Sequence, residues 1–120
     1  MKTLLWLDDC RNPFDTRTDW LVFSPIGRDV EVVWAQTVDE FMDFIDQHGL
    51  PDGISFDHDL GEDSYDERTG YDCAKYVVDY CLQHNCDIPA YAIQSSNPVG
   101  KDNICHLMEN YHNYFINQHT

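Results

Sequence analysis

Residues 3–7, Thr-Leu-Leu-Trp-Leu, are apolar without alternation and stop abruptly at Asp8 and Asp9. A strand with one wet face alternates apolar and polar side chains. An unbroken apolar run points instead to a strand buried on both faces, as in a parallel sheet covered by other layers. The pattern returns at 54–56, Ile-Ser-Phe, which runs straight into Asp57, His58 and Asp59. Two further runs, VEVVWAQ (30–36) and AYAIQ (90–94), are rich in β-branched and aromatic residues and read as strands.

Helical patterns separate these runs. Thr37 suits an N-cap, with Glu40 three residues on as in a capping box. A helix is expected over 38–48, its buried face marked by Phe41, Phe44 and Ile45 beside Val38 and Met42, with Gly49 as its stop. Thr69 is the expected cap of a second helix over 71–84, where Tyr71, Ala74, Val77, Val78, Cys81 and Leu82 share one face. A last helix is expected over 103–117, with Ile104, Leu107, Met108, Tyr111 and Phe115 on one side. Residues 10–29, which include Pro13, Pro25 and Gly27, are expected as mostly loop, with WLVF (20–23) a short apolar patch of core character. The acidic stretch 60–69 reads as a loop and a candidate lid, and 95–103 as a polar loop. The order β, loop, β-α-β-α-β-α implies a parallel sheet with helices packed on it.

Composition narrows the function. The chain has 120 residues, 42% hydrophobic and 13% aromatic, which suits one globular domain spanning 1–120. No apolar run approaches the ~18 residues of a membrane span. The first residues turn acidic too early for a signal peptide, so a cytoplasmic location is expected. The five cysteines form no CxxC pair and read as reduced thiols; Cys105, His106 and His112 match no common zinc spacing. Twenty-two acids against seven bases give a net charge of −15, and the bases form no stripe. That disfavours tracking along duplex DNA. It fits cation binding, solubility or mimicry of a polyanion.

In a parallel sheet all strands end on the same edge, and ligands bind beyond their carboxyl ends. There the first strand delivers Asp8 and Asp9 with Arg11 close by, the third Asp57, His58 and Asp59, and the fourth Ser95, Ser96 and Asn97 ahead of Gly100 and Lys101. Crowded carboxylates repel unless a positive charge sits among them, and a hard cation such as Mg²⁺ or Mn²⁺ prefers carboxylate and water oxygens. Asp8, Asp9 and Asp57 are the expected metal ligands. Ser95, Ser96, Asn97 and Gly100, just ahead of a helix N-terminus, resemble an anion cradle, to which Lys101 adds charge. His58 between two aspartates suits proton transfer near neutral pH. The bland alternatives are strand-end caps, an ion-paired surface histidine and an ordinary polar connection.

An acidic pair after strand one, an aspartate ending strand three and a hydroxyl residue ending strand four resemble a response-regulator receiver domain. The chain has no evident fifth strand and no lysine after one, which a phosphorelay receiver would carry. LDDCRNP (7–13), SFDHDLG (55–61), TGYD (69–72) and SSNPVGKDN (95–103) resemble, in order, the motifs of the divergent cyclic-phosphate-processing receiver-like domains. The resemblance spans nearly the whole chain. It implies an α/β, receiver- or flavodoxin-like three-layer sandwich, truncated to about four parallel strands in the order 2-1-3-4 with about three main helices. Gln94 stands where the family often has histidine. Small members of this kind also resemble bacteriophage proteins, which would place the chain in a host cytoplasm.

The reading that follows is a metal-dependent phosphohydrolase for cyclic phosphates, either RNA 2′,3′-cyclic phosphate ends or cyclic nucleotides. Asp8, Asp9 and Asp57 would hold Mg²⁺ or Mn²⁺, and His58, oriented by Asp59 or Asp9, would move a proton. Arg11, Ser95, Ser96, Asn97, Gly100 and Lys101 would hold the phosphate. Asp57 as a nucleophile is a variant of this reading. The competing reading is a non-enzymatic protein that sequesters a nucleotide, or an acidic decoy for a protein partner.

Overall fold

The structure is a computed structural model and describes residues 2–9, 12–14, 24–57, 68–94 and 97–118. Four strands, β1 (Lys2–Leu7), β2 (Val30–Ala35), β3 (Gly53–Phe56) and β4 (Ala90–Ile93), form one sheet in the order β2-β1-β3-β4. Every neighbouring pair is parallel, with Leu4 opposite Val32 and Gly53, and Ile54 opposite Leu5 and Tyr91. Three helices follow the later strands: α1 (Val38–His48), α2 (Gly70–His84) and α3 (Pro98–Gln118). This is the α/β receiver-like order that the strand grammar and the motifs imply.

Handedness decides where the helices lie. The steps β2 to β3 and β3 to β4 run in one direction across the sheet, so right-handed crossovers put α1 and α2 on one face. One cluster joins Leu5, Leu7, Ile54 and Phe56 of the sheet to Phe41, Ile45, Val77, Ile104 and Met108 of the three helices. Burying a side chain such as Phe41 or Phe56 stabilises by ~1.5–3 kcal/mol. The step β1 to β2 runs the other way, and Ile26, near the described end of that connection, lies on the opposite face. Leu4, Trp6 and Ser55, fully buried, alternate onto that face. Ile26 from the connection packs there over Gly53, with side-chain atoms 3.0 Å from where a Cβ would sit.

The helix caps follow their sequence signals. The Thr37 hydroxyl accepts from Glu40 N–H at 3.1 Å, while the Glu40 carboxylate reaches one residue further back than a capping box does, to Gln36 N–H at 2.7 Å. Thr69 and Asp72 form a full capping box at the start of α2. Two expectations fail. Leu82, expected on the buried face of α2, is 52% exposed, and Cys73 takes a core place instead. The polar stretch 95–103 is not all loop, because α3 begins at Pro98. Asn97 Oδ1 accepts from Gly100 N–H at 3.1 Å, so Asn97 acts as an N-cap and Pro98 occupies the first helical position, where its missing N–H costs nothing.

Cys73, Cys81, Cys86 and Cys105 carry free thiols. Burial, reinforced by neighbouring Cys86, pushes the Cys81 thiol well above its ordinary range, which makes it a poor nucleophile. Among the described residues, no helix is long and apolar enough to cross a membrane.

Candidate metal centre at the carboxyl edge

Asp8 and Asp9 leave β1, and Asp57 leaves its neighbour β3, at the same edge of the sheet. Each offers a carboxylate oxygen, and the three oxygens lie within 4.8 Å of one another. Asp8 is 4% exposed, and Asp9 and Asp57 are half-buried. Asp8 is fixed through its backbone on both sides. Its N–H donates to Ala35 O at 3.0 Å, extending the β1–β2 ladder, and its carbonyl accepts from the Trp34 indole N–H at 2.8 Å. A rigid strand end therefore presents the most buried of the three carboxylates.

Gln94 completes the row. Ile93 pairs with Phe56, and Gln94 N–H donates to Phe56 O at 2.8 Å, so Gln94 sits beside Asp57 one step past the end of the ladder. Its side chain is 5% exposed and reaches over the end of β3, where Nε2 donates to Leu7 O at 3.1 Å. The amide oxygen is buried and has no hydrogen-bond partner. The motif reading treats this glutamine only as a departure from histidine; its packing into the floor of the crevice was missed. Its place directly after a buried strand was the available signal.

The remaining site residues divide. Asn97, Gly100 and Lys101 lie in the cap and first turn of α3, which opens on the same edge. Gly100 is buried, Lys101 is exposed, and Lys101 N–H donates to Asn97 O within the turn. Arg11, His58, Asp59, Ser95 and Ser96 lie outside the described residues.

Three oxygens within 4.8 Å of one another can share one hard cation, whose ligand distances are ~2.0–2.6 Å. All three come from carboxylates, which suits Mg²⁺ or Mn²⁺ rather than a thiolate-loving ion. The sequence pattern of the family described as cyclic-phosphate processing receiver domain matches residues 3–110. The chain belongs to that family. Its match takes in both strands that carry the acidic residues and the first half of α3. Comparison with curated protein sequences returned no match. A solved structure, a yeast Spc42 trimeric coiled coil (amino acids 181–211) fused to another structure, is similar over 88% of this chain, with 19% identity and a TM-score of 0.59. This chain spans 60% of that one. At such identity the likeness speaks for the fold.

A different cavity of about 360 Å³ lies beside the start of β4, lined by Asp87, Ile88, Tyr91, Glu109 and His112 among others. There His112 Nδ1 meets Asp87 Oδ2 at 2.7 Å. It lies at the amino end of β4. Parallel sheets bind ligands at the opposite edge, where this receiver-family chain gathers its carboxylates.

Proposed function

We propose that this protein hydrolyses a cyclic phosphate diester, with a divalent cation held by Asp8, Asp9 and Asp57. The convergence of these three carboxylates at one sheet edge carries the reading. It is supported by membership of a family associated with cyclic-phosphate processing. A bound Mg²⁺ or Mn²⁺ would offset the carboxylate charge, polarise a phosphoryl oxygen and lower the pKa of nearby water.

The chain's own residues then divide the remaining work. Asn97, Ser95 and Ser96 hold the phosphate at the N-terminus of α3, where the helix dipole favours an anion. Arg11 and Lys101 supply charge against the developing negative phosphate oxygens. His58, oriented by Asp59 or Asp9, carries the proton. One P–O bond of the ring breaks, a new P–O bond forms to the water oxygen, and the water's proton reaches the departing ribose oxygen. The product is a phosphate monoester with a free hydroxyl.

Incubation with a panel of 2′,3′- and 3′,5′-cyclic nucleotides and Mg²⁺ or Mn²⁺, followed by phosphorus NMR, tests this. Ring opening is expected only with metal, and is expected to fall by at least ~100-fold in Asp57→Asn. A panel that stays cyclic with either metal overturns the hydrolase reading.

Gln94 favours one second reading. A neutral amide cannot carry a proton, so a crevice with glutamine at this position suits sequestration of a cyclic nucleotide as well as turnover. Calorimetry showing tight, metal-dependent binding with no product would decide for it.

A further inference from the structure

We propose that Gln94 is a positioning residue for a hydrated divalent cation in the acidic crevice: its buried amide oxygen accepts a hydrogen bond from a water on the ion. The inference rests on the cation reading above and deepens it.

The amide has one orientation. Leu7 O can only accept, so the group 3.1 Å from it is the NH₂ end, and the oxygen faces elsewhere. That oxygen is fully buried and unpartnered. A buried acceptor without a donor costs ~1–3 kcal/mol, and in a native protein it asks for a missing water or ion. Its position says which. Gln94 lies in register beside Asp57, and its side chain ends at the carbonyl that immediately precedes Asp8. The strand ends it lies against, those of β1 and β3, are the ones that carry the three clustered carboxylates, which when ionised only accept. A bare anion would add one more acceptor. A hydrated cation brings positive charge to the carboxylate cluster and water protons to the orphaned amide oxygen. Mg²⁺ in particular gives up its waters reluctantly, so three carboxylates leave about three of its six positions to water.

A histidine at this position would satisfy the same argument. A neutral imidazole also offers one donor and one acceptor on opposite sides of a flat group. It can donate to the carbonyl at position 7 and accept from the ion's water. Glutamine makes the same pairing without the ability to carry a proton.

The test titrates Mn²⁺ alone into wild type, Asp57→Asn, Gln94→Met, Gln94→Asn and Gln94→His. Calorimetry reads the affinity, and water-proton relaxation reads the waters on the ion. Metal-free thermal unfolding checks that each variant folds. Wild type is expected to bind and Asp57→Asn to lose binding. Gln94→Met keeps the length and removes the amide, and is expected to bind ~10–100-fold more weakly, with changed water relaxation. Gln94→His is expected to recover most of that loss. Should Gln94→Met not fold, Gln94→Asn carries the test, because its shorter amide cannot reach Leu7 and the ion's water together; it too is expected to bind more weakly. If wild type fails to bind, or Asp57→Asn binds as well as wild type, the crevice is no cation site and both readings fall. If binding needs Asp57 but the folded Gln94 variants match wild type in affinity and water relaxation, the cation site stands and the role of Gln94 falls.

Discussion

Ser55 and Gln94 both bury a polar side-chain atom without a partner. Ser55 lies on β3 two residues before Asp57, so it shares the sheet face of that carboxylate, between Trp6 and Ala92 on the flanking strands. Unlike Gln94, its hydroxyl lies back from the strand ends, under Asp57 and away from the edge. Removing an unpaired buried hydroxyl, so that only the Cβ methyl remains, removes its desolvation penalty. Ser55→Ala is therefore expected to raise stability by about 1 kcal/mol, read as a higher denaturation midpoint with unchanged slope. A drop in stability would mean that the hydroxyl holds a buried water. The acidic residues were legible at this scale because charge at the end of an apolar run is unusual. The role of Gln94 was not, because a single glutamine after a strand carries no signal until its register is known.

At the scale of elements, each of the four strands falls within a residue or so of its apolar run, and α1 matches its expected bounds. Strong periodicity and clear caps explain that success. The start of α3 was hidden because Asn97-Pro98 also spells a turn; the choice between cap and turn rests on the bond from Gly100 N–H, which only the fold reveals. Leu82 fits the apolar period of α2 yet is exposed to solvent near the helix end, while Cys81 beside it is buried. Thr69 offers the cleanest test of local control. Its hydroxyl accepts from Tyr71 N–H at 3.2 Å, and the Asp72 carboxylate accepts from Thr69 N–H at 2.8 Å. Thr69→Ala leaves first-turn N–H groups of α2 without their acceptor and is expected to cost about 1 kcal/mol. Thr69→Ser keeps the oxygen and is expected to keep most of the stability. Equal midpoints for Thr69→Ala and wild type would mean that the acidic stretch before the helix supplies another acceptor.

The whole molecule carries a net charge of −15, so two cation effects must be separated. Any salt screens the self-repulsion of such a chain and raises its stability, without preference for a site. A cation held by Asp8, Asp9 and Asp57 adds a second term, because it binds the folded chain and not the unfolded one. At a free concentration of 100 times Kd that term is about 2.7 kcal/mol. For a domain of this size it is a rise in Tm on the order of 10 °C. The comparison is Mg²⁺ against NaCl at equal ionic strength, in wild type and in Asp57→Asn. Screening acts on both proteins and is matched between the salts, leaving the site's contribution as the difference between them. That difference is expected in wild type, reversed by a chelator, and nearly absent from Asp57→Asn. The substitution removes one of 22 acids, so it barely alters the general repulsion while taking away a third of the carboxylate cluster. If Asp57→Asn gains as much from Mg²⁺ over NaCl as wild type does, the stabilisation is a property of the acidic surface and the cluster at the carboxyl edge holds no ion.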